Sequence, residues 1–402
     1  MIWQKVKNYY HLTQAFLSAL YFHFPGKNLT IIGVTGTDGK TTTVNIIFHI
    51  LKSNGYRVSM VSSIGAQIGN NSQDTGFHVT TPSPFQVQKL INQAQKAGSK
   101  YLILEATSHG LEQNRLAFVN FKISVVTNIT SDHMDYHKTW SNYASAKAKL
   151  FKDASISVLN KDDKSYQFLK QKISGKIITY STQNKADLNS KAYNLDSIFA
   201  QRYNRSNALA AVAACLAIGL PKNKIVKALK TFKGIPGRFE KVNAGQKFEA
   251  IVDFAHTPNA FENILTELKG RKKVKSKLIA VFGSAGKRDK GKRPLMGEIA
   301  AKLADTSIIT SEDPRTENQD SIISQISEGF KKLGKKENIN YFKIPDRGTA
   351  ISFAVNLAKN NDTVVFLGKG HEKSMTIGKR DYPWDEVEEV KKAIRKVIKN
   401  EK

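Results

Sequence analysis

The feature that most limits the possible folds of this 402-residue chain is a glycine-rich loop between a predicted strand and a predicted helix. The strand is the apolar run Leu29–Val34, the loop reads Thr35-Gly-Thr-Asp-Gly-Lys-Thr, and helical spacing follows over Thr42–Asn54. Glycines let such a loop turn tightly and point several backbone N–H groups at one anion, and the following helix adds its positive N-terminal end. The arrangement therefore predicts a phosphate-binding loop that opens an α/β domain.

The side chains of this loop suggest separate roles. Gly33, Gly36 and Gly39 are expected to shape the turn, Lys40 to reach the β- and γ-phosphates, and the Thr41 hydroxyl to hold Mg²⁺. The common form of the motif has a glycine six residues before the lysine, where this chain has Val34, so the loop is a variant with the spacing G-x-x-G-x-x-G-K-T. The predicted ATP-binding residues of the loop are Gly36, Thr37, Asp38, Gly39, Lys40, Thr41 and Thr42.

Strand and helix patterns alternate along the rest of the chain. After the loop, strands are predicted at Arg57–Ser62, Tyr101–Ala106, Ile123–Asn128 and Ile156–Asn160, and helices at Pro84–Ala97, Ser141–Phe151, Asn204–Ile218 and Lys222–Phe232. Such alternation predicts a parallel sheet with helices on both faces. A second α/β unit follows Pro236-Gly-Arg, with strands near Glu249–Asp253, Lys277–Phe282, Thr306–Thr310, Asn340–Lys343 and Thr363–Leu367.

The predicted fold class is therefore α/β, with a central phosphate-loop domain on a mostly parallel sheet and a C-terminal Rossmann-like α/β domain. We expect an N-terminal helix and linker at residues 1–28, the central ATP-binding domain at 29–235 and the C-terminal domain at 236–402.

The net charge of +28 has two interpretations. It indicates either a solvated lysine-rich surface or attraction to polyanions such as nucleic acid, a nucleotide or a phosphorylated substrate. No zinc-ligand spacing and no stripe of alternating aromatic and basic residues favours nucleic acid. The single cysteine, Cys215, lies in an apolar run and is expected to be a buried small hydrophobe in a reducing cytoplasm. No signal peptide or membrane span is expected, because the most apolar early stretch, Ala15–Phe24, is too short.

Further motifs follow the loop in a fixed order. They are Leu104-Glu-Ala-Thr-Ser-His-Gly-Leu111 with Gln113 and Arg115, Thr127-Asn-Ile-Thr-Ser-Asp-His-Met-Asp-Tyr-His137, Ala146-Lys147, Tyr203–Asn207, Pro236–Arg238, Asp253–Pro258, Gly283–Met296, Glu312–Arg315 and Gly368–Glu372. Together with the variant loop they resemble the Mur ligase family, which also includes folylpolyglutamate synthases and cyanophycin synthetases. The last three motifs resemble its UDP-N-acetylmuramoyl-tripeptide synthetase branch, the MurE type.

The resemblance implies an ATP- and Mg²⁺-dependent ligase of the cytoplasm that acts in peptidoglycan precursor synthesis. Such an enzyme adds a diamino acid, meso-diaminopimelate or L-lysine, to UDP-MurNAc-L-Ala-D-Glu through an acyl phosphate. We expect a monomer that binds the muramoyl-peptide nucleotide and an amino acid, with no specific nucleic acid. Two alternatives stay open: another Mur-fold amide ligase of the folylpolyglutamate or cyanophycin type, and a nucleic-acid-binding P-loop ATPase.

The resemblance also implies roles for residues beyond the loop. Glu105, at the end of a predicted strand, and His133 would join Thr41 as metal ligands, and Lys147 would be a carbamylated lysine, with Lys149 as its nearby competitor. The catalytic residues would be Lys40, His133 and Lys147. Muramoyl-peptide contacts are expected from Thr80, Thr81, Thr107, Gln113 and Arg115, amino-acid contacts from Asp313, Arg315, Arg347, Gly368 and Glu372, and nucleotide contacts from Asn204, Asp253 and His256.

Two departures from the family pattern bear on function. Members of this branch usually carry a uridine-binding domain before the loop, whereas here only residues 1–28 precede the first strand. The basic surface is therefore predicted to attract the pyrophosphate of the substrate. In diaminopimelate-adding members the acceptor motif reads D-N-P-R, whereas here it reads Glu312-Asp-Pro-Arg315, which puts a carboxylate in place of an amide.

Overall fold

The computed structural model describes residues 2–73 and 81–400. The chain forms two compact units, Met1–Lys233 and Gly234–Lys402. Both units combine a mostly parallel sheet with helices, which confirms the predicted α/β class.

The described part of the first unit is built on a nine-stranded sheet in the order β4-β3-β2-β5-β1-β6-β7-β8-β9. Seven neighbouring strands of this sheet run parallel, while β3 and β4 form an antiparallel extension at one edge. The strands are β1 Thr30–Thr35, β2 Val58–Ser62, β3 Gly65–Ile68, β4 Asn71–Gln73, β5 Tyr101–Glu105, β6 Phe121–Val126, β7 Ile156–Asn160, β8 Lys176–Ser181 and β9 Leu188–Asn189.

Helices cover both faces of this sheet. They are α1 Ile2–Tyr21, α2 Lys40–Ser53, α3 Pro84–Lys96, α4 Ser108–Glu112, α5 Met134–His137, α6 Trp140–Ala148, α7 Ser165–Lys170, α8 Arg202–Ala217 and α9 Lys222–Leu229. In β1, Ile32 and Val34 pack in one buried cluster with α2 and α8, whereas Ile31 packs in the other cluster with α3. A strand buried on both faces reads as a continuous apolar run, which is why Leu29–Val34 could be recognised.

The alanine-rich helix α8 packs against α2, the helix that follows the phosphate loop. Its small side chains let the two helix backbones approach closely, and Ala208, Ala211 and Cys215 are fully buried. Burial raises the pKa of the Cys215 thiol, so Cys215 is a packed hydrophobe as expected.

The described part of the second unit has a six-stranded sheet in the order β10-β11-β15-β12-β13-β14, in which β10 is antiparallel. Its strands are β10 Glu240–Val242, β11 Glu249–Asp253, β12 Leu278–Phe282, β13 Thr306–Ile309, β14 Tyr341–Lys343 and β15 Thr363–Leu367, followed by the hairpin β16 Ser374–Ile377 and β17 Arg380–Pro383. Its helices are α10 Pro258–Arg271, α11 Lys292–Leu303, α12 Gln319–Lys332, α13 Arg347–Leu357 and α14 Glu386–Asn400.

Most of the strands that sequence patterns missed are short or polar. They include the edge strands β3 and β4, the strands β8 and β9, and the hairpin β16–β17. All residues of β4 and β17 are exposed, so these strands lack the apolar periodicity that marks a buried strand.

Candidate active site

The predicted phosphate loop lies between β1 and α2, and two of its glycines are required by close packing. A Cβ added at Gly36 would lie 1.8 Å from Thr127 Oγ1, and one added at Gly39 would lie 2.1 Å from Asn207 Oδ1. Gly39 also has a φ of 81°, in the left-handed region that favours glycine. The prediction for Gly33 was wrong: this residue lies inside β1, where a Cβ would meet the side chains of Phe121 and Leu150.

Side chains from the next segments hold the loop in place. Thr37 Oγ1 lies 3.1 Å from the Tyr143 hydroxyl and accepts a 3.0 Å hydrogen bond from the Thr130 N–H. The Asp38 N–H donates to Asn128 Oδ1 at 3.0 Å. Lys40 Nζ donates to the Thr37 carbonyl at 2.8 Å, so its ammonium lies folded over the loop. A loop fixed in this way keeps its N–H groups ordered before an anion arrives.

Three side-chain oxygens meet at the start of α2. Thr41 Oγ1 donates to Glu105 Oε2 at 3.0 Å and lies 2.8 Å from Ser63 Oγ. The backbone N–H of Ser63 also donates to Glu105 Oε2 at 3.0 Å. The carboxyl ends of β1, β2 and β5 meet at one edge of the sheet, which is where open α/β sheets bind ligands. Ser63, which directly follows β2, was missed by the sequence reasoning.

Lys147 is completely buried beneath the loop, although its position on a helix would suggest a solvated side chain. Its Nζ donates to the Gly36 carbonyl at 2.6 Å and lies 4.5 Å from the centre of the Tyr143 ring. Burial and the neighbouring Lys40 ammonium hold the pKa of Lys147 well below its usual range. The competitor Lys149 is about two-fifths exposed and forms a 2.8 Å ion pair with Glu112, so it plays no comparable part.

Three histidines, His109, His133 and His137, lie close together near Lys147. The His133 ring lies 4.7 Å from the His109 ring and 3.4 Å from Asp132 Oδ2. His137 is buried, and its Nε2 lies 3.0 Å from Ser108 Oγ. Burial, the His109 ring and Lys147 lower the pKa of His137 to about 4. Among the described residues no three histidine, cysteine or carboxylate side chains are grouped to hold a metal ion, and the role of His133 as a metal ligand stays a prediction.

The residues predicted to contact the muramoyl peptide come together on the same unit. Thr81 Oγ1 accepts hydrogen bonds from the Thr107 N–H at 3.0 Å and from the Thr107 hydroxyl at 2.9 Å. Arg115 donates to the Thr81 carbonyl at 3.0 Å and to Gln113 Oε1 at 2.6 Å. These four side chains therefore form one polar cluster, while Thr80 lies outside the described residues.

Asn204 reaches the loop through a second asparagine. Asn207 Nδ2 donates to Asn204 Oδ1 at 3.4 Å, and Asn207 is the residue that packs against Gly39. Both asparagines lie in the first turns of α8.

In the second unit, Asp253 accepts 2.7 Å hydrogen bonds from the backbone N–H groups of Phe239 and Ala255. His256 Nδ1 lies 2.9 Å from the Phe254 carbonyl, so both predicted nucleotide residues of this unit take part in loop structure.

The acceptor motifs of the second unit form a buried charged cluster. Lys369 Nζ is fully buried and donates to Asp313 Oδ1 at 2.9 Å and to Glu372 Oε2 at 2.5 Å. Burial alone would lower the pKa of Lys369, but the two carboxylates outweigh it and raise that pKa. Gly368 passes close to Glu312, whose buried Oε2 has no hydrogen-bond partner in the described structure. Arg315 has a φ of 52° and is held by hydrogen bonds with the backbone of the β16–β17 hairpin.

The arrangement around Arg347 does not fit the predicted contact with an amino acid. Arg347 and Glu386 are both fully buried, and they form a 2.5 Å ion pair. The remaining guanidinium donors bind the carbonyls of Ser311 at 2.8 Å and Leu367 at 2.9 Å. Arg347 therefore fastens α13 and α14 to the segment after β13 and to the end of β15, next to the Glu312–Arg315 motif.

Within the described chain, no helix has both the length and the apolar character needed to cross a membrane.

Comparison with known proteins identifies the family. The description "Mur ligase middle domain" matches residues 34–215, and "Mur ligase, glutamate ligase domain" matches residues 237–370. The UDP-N-acetylmuramoyl-L-alanyl-D-glutamate–2,6-diaminopimelate ligase of Clostridium botulinum is 38% identical over 95% of this chain and 81% of its own length.

Solved structures agree with this assignment. That of a UDP-N-acetylmuramoyl-L-alanyl-D-glutamate–2,6-diaminopimelate ligase is 33% identical, covers 92% of this chain and 79% of its own, and has a TM-score of 0.59. The structure of Escherichia coli FolC with DHPP and ADP, at 18% identity and a TM-score of 0.68, covers 97% of this chain and 94% of its own and shows a shared fold alone. The sequence matches over both units, together with the phosphate loop and its supporting residues, show that this chain belongs to the Mur ligase family.

Proposed function

We propose that this chain is an ATP-dependent ligase that joins a diamino acid to UDP-MurNAc-L-Ala-D-Glu in peptidoglycan precursor synthesis. The observation that carries the proposal is the shared edge of the first sheet. The phosphate loop follows β1, Ser63 follows β2, and Glu105 and Thr107 lie at the carboxyl end of β5. Thr107 bonds to Thr81 and so joins the Thr81–Thr107–Gln113–Arg115 cluster to the same edge. A nucleotide phosphate and an acidic peptide bound there would lie side by side.

In the proposed reaction, a carboxylate oxygen of the muramoyl peptide attacks the γ-phosphorus of ATP, and ADP leaves. The acceptor amine then attacks the acyl carbon of the resulting acyl phosphate, inorganic phosphate leaves, and the amine loses a proton. Two anions must approach each other in the first step, so the loop N–H groups and Lys40 stabilise the negative charge that the transferring phosphoryl group carries. Lys40 Nζ donates one hydrogen bond to the Thr37 carbonyl, which leaves further N–H donors of the ammonium for a phosphate oxygen.

The residues at the start of α2 fit a Mg²⁺ ion. Thr41 and Ser63 supply hydroxyl oxygens and Glu105 a carboxylate, which are the hard oxygen donors that this ion prefers. All three lie next to the loop that would hold the β- and γ-phosphates. When bound, Mg²⁺ would offset the charge of the phosphate oxygens. The histidine cluster at His133 lacks such a donor set among the described residues, so we assign no step to a second ion.

Lys147 is proposed to carry a carbamate. Carbamylation needs a neutral amine, which attacks CO₂ and releases one proton to give an N-carboxylate. Because burial and Lys40 lower its pKa, the Lys147 amine is available in that neutral form. The carbamate would place a negative charge near the Lys40 ammonium, which would stabilise it.

The acceptor is proposed to be a diamino acid held by the second unit. Arg315 offers a guanidinium to a carboxylate, and Glu372 offers a carboxylate to an ammonium. Asp313 and Glu372 share one ammonium, that of Lys369, so this pair of carboxylates keeps part of its negative charge. Both meso-diaminopimelate and lysine are therefore candidates. The Pro314-Arg315 pair, which matches the D-N-P-R motif of diaminopimelate-adding members, favours diaminopimelate.

The test is a phosphate-release assay with UDP-MurNAc-L-Ala-D-Glu, ATP and Mg²⁺ across a panel of acceptor amino acids. We expect release that depends on both the muramoyl dipeptide and a diamino acid, with the amide product seen by mass spectrometry. Lys147→Ala should lose activity and regain part of it with formate or acetate, whereas Lys149→Ala, its exposed neighbour, should keep activity. Release that depends instead on a folate, on a monoamino acid or on DNA would contradict the proposal.

A further inference from the structure

An open cleft of about 730 Å³ lies between helix α9 and the short helical segment Lys191–Tyr193 of the first unit. Four lysines line it, Lys191, Lys222, Lys227 and Lys230, and none of the described lining residues is acidic. A volume of this size is within the range of small-molecule sites, which is about 300–1,000 Å³. None of its residues belongs to the phosphate loop or to the muramoyl-peptide cluster.

The lysines of the cleft carry charges that the described residues do not offset. Within the described structure, no carboxylate lies within ion-pairing distance of any of the four lysine ammonium groups. Some exposed lysines elsewhere do have acidic partners, as Lys373 has Asp385 at 2.6 Å and Lys392 has Glu389 at 2.7 Å. Four like charges around one cleft repel each other, so an anion bound there would relieve that repulsion.

Helix α9 places one of these lysines where a cation is locally unfavourable. Lys222 is the first residue of α9, and the first turn of the helix contains no acidic residue and no side-chain cap. The helix dipole disfavours a positive charge at this end. The Lys224 N–H donates to Asn223 Oδ1 at 2.9 Å. The local cost is offset if an anion contacts both the Lys222 ammonium and the N–H groups at the start of the helix.

One aromatic face in the cleft is already covered by a lysine. Tyr193 is buried, and the Lys222 ammonium covers one face of its ring, with Nζ 5.1 Å from the ring centre. Asn194 and Asn223 add amide donors at the rim. We propose that this cleft is a second phosphate site, which binds a small anion with two or three linked phosphates, either inorganic or part of a nucleotide.

The site would lie one helix away from the ATP loop. Helix α9 contacts α2, whose His49 Nε2 lies 2.9 Å from the Ala228 carbonyl and 3.0 Å from Thr231 Oγ1. An anion in the cleft therefore binds an element that packs directly on the helix beginning at Lys40.

The test counts phosphate ligands per chain by calorimetry. The full chain is first saturated with a non-hydrolysable ATP analogue and then titrated with inorganic tripolyphosphate. The cleft variant is Lys222→Gln/Lys227→Gln/Lys230→Gln. The control variant is Lys331→Gln/Lys335→Gln/Lys336→Gln, which removes the same charge from the second unit. Retained binding of one analogue per chain shows that the first unit of each variant has folded.

We expect two phosphate ligands per chain in the wild type and in the control. The cleft variant should bind the second ligand at least tenfold more weakly. If the analogue fills the cleft itself, two analogues bind to the wild type and one to the cleft variant, which identifies a nucleotide as the preferred form. A single phosphate ligand per wild-type chain would overturn the proposal. Equal weakening of the second ligand's binding in the cleft and control variants would also overturn it, because it would show attraction by the basic surface as a whole.

Discussion

Replacement of Arg347 by methionine tests whether this residue supports the acceptor site or touches the amino acid. The methionine side chain is unbranched like that of arginine, but it carries no charge and no hydrogen-bond donor. Glu386, which is 0% exposed, would keep only the 2.7 Å hydrogen bond from Trp384 Nε1. The carbonyls of Ser311 and Leu367 would also lose their Arg347 donors.

The size of the effect follows from the buried charge. Removing one partner of a buried ion pair typically costs about 3–5 kcal/mol, because the other charge stays buried and uncompensated. We therefore expect Arg347→Met to lower the free energy of unfolding of the second unit by about 3–5 kcal/mol. The double variant Arg347→Met/Glu386→Leu removes both charges and should recover most of that loss.

Urea unfolding followed by the fluorescence of Trp384, the tryptophan of the second unit, measures this change. The Michaelis constant of the acceptor is measured in parallel at a temperature where the variant is folded. If Arg347→Met unfolds at the wild-type urea concentration and yet raises that constant strongly, Arg347 contacts the amino acid directly and our interpretation is wrong.

Four other changes test the rest of the site. Lys40→Ala should lower phosphate release by at least about 100-fold with an unchanged circular dichroism spectrum, because a charge aimed at the transferring phosphoryl group is lost. Glu105→Gln should raise the Mg²⁺ concentration needed for half-maximal activity by about tenfold or more, since it removes the carboxylate from the oxygen donors; unchanged Mg²⁺ dependence would contradict the metal assignment. The folded-state pKa of His137 is lowered from 6.5 to about 4, so its contribution is complete above pH 6.5 and is lost as the pH falls toward 4. After allowance for solvent screening, the first unit should lose about 1–2 kcal/mol between pH 7 and pH 5, and His137→Gln should reduce this loss in urea unfolding at the two pH values. Asp313→Asn should leave Lys369 to Glu372 alone and so shift the ratio of Michaelis constants toward diaminopimelate and away from lysine; a shift toward lysine would refute this account of the acceptor cluster.

Local patterns were sufficient for much of the first unit. The phosphate loop could be predicted from sequence because its strand, glycines, lysine and helix are adjacent in the chain. The parallel strands could be predicted because burial on both faces requires a continuous apolar run, as in Thr30–Thr35 and Tyr101–Glu105. The motif residues Thr107, Gln113 and Arg115 could be named by resemblance, although sequence alone did not show that they bond to Thr81.

Only the tertiary structure decided which distant groups meet. Ser63 joins Thr41 and Glu105 because β2 and β5 are neighbours in the sheet, and strand order cannot be deduced from strand patterns. Gly33 was expected to shape the loop, yet it lies in β1, where Phe121 and Leu150 occupy the space that a side chain would need.

Buried charges were the hardest to predict. Lys147 and Arg347 both lie on helices and resemble surface residues by spacing, but both are completely buried. A charged side chain is buried only where a partner or a shifted pKa offsets the loss of water. For Arg347 that partner is Glu386, 39 residues away along the chain. Sequence therefore determined the phosphate chemistry, which one short segment contains, while the fold decided the state and the role of each buried charge.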